Sequence, residues 1–354
     1  MGMTSKTPSQ TTSTISETSS VPADLQGGLY LDPVIPKCIR IIVVVMVSVC
    51  IIVSNIINVL VLRKTHMSSN ARICLINLGV ADLIVGCVTC APCIAVTVMG
   101  FWPYGEIWCQ IAGFSHGVSA VVSIWSLAFV SLDRYVAIVK ALHYCTLVTK
   151  SRCRIALVCL WMAAAASFIV PLFIVPDHKY YHFNAVEGIC GLYWEFPLLC
   201  ILTGIFPVSS GIVICCTTFG ILRYLKAHGD NLRLTGSSVI LARERRSRDQ
   251  KAVKILTITT CLYFICWGPY VVSVIMTSFF PKIQAPPTAQ FIFLWVANSN
   301  SFINVLVYSA IYKSFRDEIK RMVLCYGTAC RAHERRNVRV SYVVSPQSSS
   351  ASYC

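Results

Sequence analysis

The sequence predicts an all-α membrane protein, a bundle of seven transmembrane helices with its N-terminus outside the cell. Three observations carry that expectation. The chain has seven apolar stretches, Cys38–Leu62, Ile73–Val98, Ile107–Val139, Ile155–Val175, Phe196–Ile221, Ile255–Phe280 and Pro286–Ala310. Each is long enough for a hydrocarbon core ~30 Å thick, which takes about 20 residues of helix. Of 30 Lys and Arg residues, 25 fall on the connections after the first, third and fifth stretches or on the tail, counting Arg134 at the inner edge of the third. Such asymmetry sets orientation, with the basic side facing the cytoplasm. Basic side chains are therefore expected outside the bundle. Composition agrees: 56% apolar and 13% charged residues are too greasy for a soluble domain of 354 residues. The net charge of +15 reflects cytoplasmic loops facing anionic lipid and an acidic partner surface, not nucleic acid.

One membrane domain takes up nearly the whole chain. Residues 1–37 form an extracellular N-terminus rich in Ser and Thr, expected to be disordered. Residues 38–325 hold the seven spans and a short C-terminal amphipathic helix, and residues 326–354 are a cytoplasmic tail. The first residues lack the apolar core of a signal peptide, so the first span is expected to direct insertion.

The first span contributes Asn55 and the second Asp82, the only carboxylate deep within any stretch. An unpaired carboxylate in hydrocarbon is costly, so Asp82 must face inward and have partners. Asn55, Ser123, Asn300 and Asn304 are the candidates. Oxygen ligands around one carboxylate suit a sodium ion; the same set also reads as a structural hydrogen-bond knot gluing helices. The third span carries His116, Ser123 and Arg134 at near-integral helical turns, so all three face one way. Its Asp133-Arg134-Tyr135 places a guanidinium at the cytoplasmic mouth beside its own carboxylate. Asp249, leading into the sixth span, is a second candidate partner, and an ion pair between separable helices is a latch.

Cys109 lies at the outer end of the third span and Cys190 in the loop after the fourth. The oxidising exterior favours a bridge between them, with Cys38 as a competing partner. The loop beyond, Gly191 to Phe196, is strongly aromatic. Tyr193 and Trp194 either drop into the bundle as a built-in plug or belong to an interfacial aromatic belt. In the sixth span, Cys266-Trp267-Gly268-Pro269 predicts a bend, since Pro269 frees a carbonyl. Trp267, about five turns above Asp249, can sense the contents of the upper cavity. Arg243, Arg245, Arg246 and Arg248 are expected on a solvated extension of this helix. After the seventh span, Cys325 and Cys330 follow an amphipathic segment and are palmitoylation candidates.

Several motifs now stand in order on the right spans: Asn55; Asn77 through Asp82; Cys109 and Asp133-Arg134-Tyr135; Trp161; Pro207; Cys266-Trp267-Gly268-Pro269; and Asn304 through Tyr308. The set resembles rhodopsin-like (class A) G protein-coupled receptors over residues 38–325. Trp102 to Gly105 in the first outer loop and Phe315 on the surface helix match as well. The resemblance implies a receptor and not an enzyme, at the plasma membrane. It implies a ligand cavity lined by His116, Ala120, Trp267, Tyr270, Val274, Trp295 and Asn298. An agonist above Trp267 would collapse the sodium pocket, open the Arg134 latch and swing the sixth helix outward. A heterotrimeric G protein would then enter, with Tyr308 moving in support, and a receptor kinase and arrestin would act on the Ser-rich tail at 345–352.

Three positions depart from that pattern. Val305 stands where the seventh span usually has proline, so the helix is expected to run straighter there. Cys215 stands where the fifth usually has tyrosine, and Ala141 where a proline usually opens the second inner loop. His116 stands where amine receptors carry aspartate, which argues against an amine ligand. With no lysine inside a span, a retinal Schiff base is excluded. A ligandless, constitutively active relative is the main rival reading. A transporter would be expected to show inverted repeats, and the chain shows none.

Overall fold

The computed structural model describes residues 35–64, 69–169, 181–192, 197–227, 237–280, 282–283, 285–311 and 313–326. Within these ranges the side chains at 69, 197–200, 202, 237–249, 252, 256, 314 and 323–326 are not described. Seven helices are long and apolar enough to cross a membrane: Lys37–Lys64, Asn70–Met99, Gly105–Val139, Lys150–Ile169, Thr203–Ala227, Val253–Phe279 and Pro287–Ile311. They fall on the seven expected stretches and are called the first to seventh spans below. The sixth continues a helix that begins at Ser237, so the basic run at 243–248 lies on a helical extension into the cytoplasm. An eighth helix, Lys313–Tyr326, follows at the inner surface. Phe315 anchors it in the inner core, and Arg316 Nη1 caps the seventh span by donating to the carbonyls of Ser309 (3.1 Å) and Ala310 (2.6 Å).

The first span shows how a membrane inverts the usual pattern. Ile42, Met46, Val49, Val53, Ile56 and Leu60 recur every three or four residues and are exposed, forming a stripe toward lipid. Ser48, Asn55 and Asn58 are buried on the other face with Val44, Ile51 and Val61. Lipid is as apolar as leucine, so there is no gain from burying aliphatic side chains, whereas polar ones must find partners inside. The third span sits at the centre, packing against the second, fourth, fifth and sixth.

The second span is interrupted by a π-helical segment, Val85–Cys90, before Pro92. Proline cannot continue the hydrogen-bond ladder, and one wider turn absorbs the mismatch. Gly86 lies in that turn because a Cβ there would stand 2.9 Å from Ile51 and Ile52 of the first span. The turn aims Thr89, Cys90 and Cys93 into the bundle, where all three are buried.

The second outer loop folds into an antiparallel hairpin of β1, Tyr181–Asn184, and β2, Ile189–Leu192. Tyr181 lies over Gly113 of the third span, where a Cβ would come within 2.5 Å of the tyrosine ring. Gln110 Nε2 donates to the Tyr181 carbonyl (2.7 Å), and the Tyr181 hydroxyl donates to the Phe168 carbonyl (3.1 Å). The expected Cys109–Cys190 disulfide joins the same span to β2.

Arg40 corrects the expectation that every basic side chain stays outside the bundle. It is 1% exposed, at the outer end of the first span. Its guanidinium lies over the Phe291 ring, 4.7 Å from the centroid, and Nη1 donates to the Val186 carbonyl at 3.4 Å. A buried cation is tolerated when an aromatic face and carbonyl oxygens replace water.

Candidate functional site

The site has three levels. At the top, the hairpin turn inserts between helices. Asn184 Oδ1 accepts the backbone N–H groups of Val186 (2.9 Å) and Glu187 (3.3 Å), and Gly188 takes the positive φ of 73° that closes the turn. Ile189 packs among Val44, Val85, Cys90 and Phe291, contributed by the first, second and seventh spans. Trp295 Nε1 donates to the Glu187 carbonyl at 3.1 Å. Glu187 is only 8% exposed, and burial pushes its carboxyl up to about 8. Among the described residues, the segment that enters the outer mouth is the turn at 184–189. Tyr193 and Trp194, for which a plug and an interfacial belt were the two expectations, lie outside the described residues.

Beneath the turn, His116 Nε2 donates to Asn298 Oδ1 at 2.9 Å, joining the third and seventh spans. Both line a cavity of about 10 Å³ with Ala120, Ser123, Trp267 and Asn300. That volume matches one water molecule. Trp267 stacks on Tyr263 (6.4 Å between centroids) and meets Tyr270 edge-on (6.1 Å). Of the expected cavity residues, His116, Ala120, Trp267 and Asn298 come together here. Tyr270 packs against the outer cluster with Trp295, which holds the hairpin, and Val274 is buried one turn above Tyr270.

At mid-depth, Asp82 is fully buried and accepts a hydrogen bond from Ser123 Oγ at 3.0 Å. The Ser301 side chain is a second partner of the Asp82 carboxylate, while Asn55 Oδ1 and Asn300 Oδ1 are buried acceptors without a hydrogen bond and Asn304 Nδ2 is a buried donor in the same condition. Asn55 Nδ2 donates to the Ser301 carbonyl at 3.0 Å, tying the first span to the seventh. Trp161 Nε1 donates to Asn77 Oδ1 (2.9 Å) and Asn77 Nδ2 to Ser126 Oγ (2.8 Å), so the second, third and fourth spans are locked by two of the motif residues and Ser126.

At the bottom, Arg134 is ion-paired with Asp133. The other Asp133 oxygen accepts the Tyr144 hydroxyl at 2.6 Å. Tyr144 lies in the second inner loop, and burial followed by this bond pushes its hydroxyl up to about 12. With Ala141 in place of the usual proline, Ala141–His143 form a 3-10 turn and Tyr144–Leu147 one helical turn. Tyr135 packs with Ile138, Ile221 and Val253, which join the inner ends of the third, fifth and sixth spans. Tyr308 and Val305 are buried in the larger inner cluster with Leu127 and Ile255, on a seventh span unbroken from Pro287 to Ile311. Cys215 faces outward and is exposed. The Asp249 and Cys325 side chains, and the whole of Cys330, lie outside the described residues.

Sequence reasoning missed Arg40, Glu187 and Tyr144. An Asn-to-Gly spacing at 184–188 signals a turn, but nothing local shows that it folds inward.

Known proteins bear on this architecture directly. G-protein coupled receptor 52 of Mus musculus is 29% identical over 258 residues, covering 71% of this chain and 70% of that receptor. Probable G-protein coupled receptor 21 of Homo sapiens is 28% identical over 330 residues, covering 90% and 93%. The alpha-1A adrenergic receptor of Mus musculus is 26% identical over 294 residues, covering 73% of this chain and 61% of that receptor. Squid rhodopsin shares the fold, with a TM-score of 0.71 at 21% identity over 84% of this chain and 88% of that one. Residues 54–308 match the family model described as 7 transmembrane receptor (rhodopsin family). With seven spans, buried polar core and inner-mouth ion pair in place, the chain belongs to that family and is a G protein-coupled receptor, a multi-pass protein of the plasma membrane.

Proposed function

We propose that this receptor transmits an extracellular signal by outward movement of the sixth helix, which parts the Ile138–Ile221–Val253 cluster and admits a heterotrimeric G protein. The observation that carries the reading is the closed inner mouth, where Asp133 holds Arg134 on one side and the second inner loop on the other. Both bonds lie within the third span and the loop that follows it, so they hold Arg134 turned toward its own helix, while the Ile138–Ile221–Val253 cluster is the contact between helices that parts when the sixth moves. The Tyr308 side chain, packed against Ile255 of the sixth span in the same inner region, moves with it.

A sodium ion fits the mid-depth pocket. Asp82, Ser123, Ser301 and Asn300 present oxygens there. Asn304 Nδ2 is a donor and serves a water beside the ion. The bound ion would neutralise Asp82 and favour the closed bundle.

The cavity at His116 offers no carboxylate to a protonated amine, since the His116–Asn298 pair occupies that level. Its size favours a second reading, in which the hairpin turn is the resident occupant and the receptor signals without a diffusing ligand. Phosphorylation of the tail at 345–352 would add negative charge for the basic surface of arrestin after a receptor kinase acts. Cys325 and Cys330 would anchor the tail by palmitoylation.

The test is a panel of second-messenger readouts in cells expressing wild type, Asp133→Asn and Asp133→Asn with Arg134→Ala at matched surface levels. Asp133→Asn should raise output in at least one pathway and the added Arg134→Ala should return it to background. Identical output from all three in every pathway would overturn the reading.

A further inference from the structure

We infer that Cys74 and Cys153 form a peroxide-oxidisable thiol pair that ties the second span to the fourth at the cytoplasmic mouth. Their sulfurs are 3.6 Å apart. A disulfide needs about 2.0 Å, so closure asks for a shift of about 1.6 Å, within the reach of side-chain rotation and small helix movement. Cys153 lies in the first turn of the helix that begins at Lys150, with its N–H on the Thr149 carbonyl (3.0 Å), and is half-buried. Cys74 lies in the second turn of the helix that begins at Ser69 and is 2% exposed. Both therefore sit at the inner edge of the bundle, and an oxidant arriving from the cytosol meets Cys153 first.

The chemistry closes with hydrogen peroxide alone. The Cys153 sulfur attacks one peroxide oxygen and the O–O bond breaks. Hydroxide leaves and takes the thiol proton as water, giving a sulfenic acid. The Cys74 sulfur then attacks the Cys153 sulfur. The S–S bond forms, the S–O bond breaks, and the sulfenic oxygen leaves as a second water with the Cys74 proton. Two sulfurs lose two electrons and the peroxide gains them. The cytosol is reducing, so exchange with a dithiol returns both thiols, and the bridge is transient.

The position of the pair ties it to the ionic latch. The Cys153 sulfur is 4.0 Å from the Asn70 carbonyl oxygen. Asn70 Nδ2 donates to the Tyr144 hydroxyl oxygen (3.4 Å) and to the Val148 carbonyl (3.0 Å), and the Tyr144 hydroxyl donates to Asp133. A bridge across Asn70 fixes the second inner loop where it holds Asp133, so the oxidised receptor stays closed. The bridge itself is independent of the function proposed above; only its effect on G protein rests on that reading.

The experiment uses the full-length receptor in lipid nanodiscs. It is treated with hydrogen peroxide, remaining thiols are capped with N-ethylmaleimide, and the protein is digested without reduction. Mass spectrometry should find a Cys74–Cys153 linked peptide that dithiothreitol removes. Basal nucleotide exchange on added G protein should fall roughly fivefold on oxidation and recover on reduction. Cys153→Ser and Cys74→Ser, each checked for folding by thermal melting, should abolish both effects. Recovery of both cysteines as maleimide adducts after peroxide, or as separate sulfinic or sulfonic acids, overturns the pair. A linked peptide with unchanged exchange overturns its control of the latch.

Discussion

Replacing Glu187 by Gln should remove a pH dependence that the outer hairpin otherwise shows. Burial raises this carboxyl from 4.5 to about 8. Below about pH 4.5 the group is protonated whether or not the turn is docked, and docking keeps its full stability. As pH climbs toward 8 the undocked turn releases its proton first, so docking weakens; above that value the loss is complete. Each unit of pKa is worth about 1.4 kcal/mol, and the loss between about pH 6 and about pH 9 is of order 2–3 kcal/mol, up to roughly a hundredfold in the docking equilibrium. Gln fills the same space as the neutral acid and does not titrate. Hydrogen exchange of peptides spanning 181–192, corrected for the intrinsic rate, reads the opening directly. Protection of the wild-type turn should collapse over this range while that of Glu187→Gln stays level. Parallel curves for the two proteins would refute the claim that a buried carboxyl governs the turn.

Three further outcomes follow from the lower levels. Sodium chloride, compared with choline chloride, should raise the melting temperature of the wild type and leave Asp82→Asn unmoved; equal shifts would remove the ion from the pocket. Tyr144→Phe deletes a bond to a carboxylate worth about 1.5–3 kcal/mol, and basal nucleotide exchange should rise by about tenfold or more. Unchanged exchange would mean that the second inner loop does not hold the latch. Val305→Pro with Cys215→Tyr should alter ligand-free second-messenger output. Proline at 305 cannot donate to the Ser301 carbonyl, but Asn55 Nδ2 already does so at 3.0 Å, so the fold should survive. Output equal to wild type would show these departures to be silent.

What the sequence makes legible follows from the solvent. A hydrocarbon core demands seven long apolar helices, and loop charge orients them; both are local properties of the chain. A lone carboxylate such as Asp82 must find partners, which is why Ser123 was foreseeable as its donor. The Cys109–Cys190 bridge was foreseeable from compartment and position. Arg40, Glu187 and Tyr144 were not. Their roles arise where a loop folds back on helices far away in the chain, and no periodicity records that. Arg40 looks like an ordinary flanking charge until Phe291 and the Val186 carbonyl are seen around it. Cys74 and Cys153 are indistinguishable in sequence from the many apolar-facing thiols, and only the crossing of two helices brings their sulfurs together. The inward fold of the turn at 184–188 is not legible either, because its seat is made by residues of three spans remote in sequence.

The disulfide-anchored turn between Val44, Phe291 and Trp295 has a bearing on how agonists would be found. If the turn is the resident occupant, a visitor from solution competes against a group tethered to its own seat, at an effective concentration of millimolar order. Its potency is then lowered by the fraction of molecules in which the seat is taken. Screens run on the intact receptor would underrate good compounds, and loosening the tether would move every dose–response curve to lower concentration without altering a single contact made by the compound.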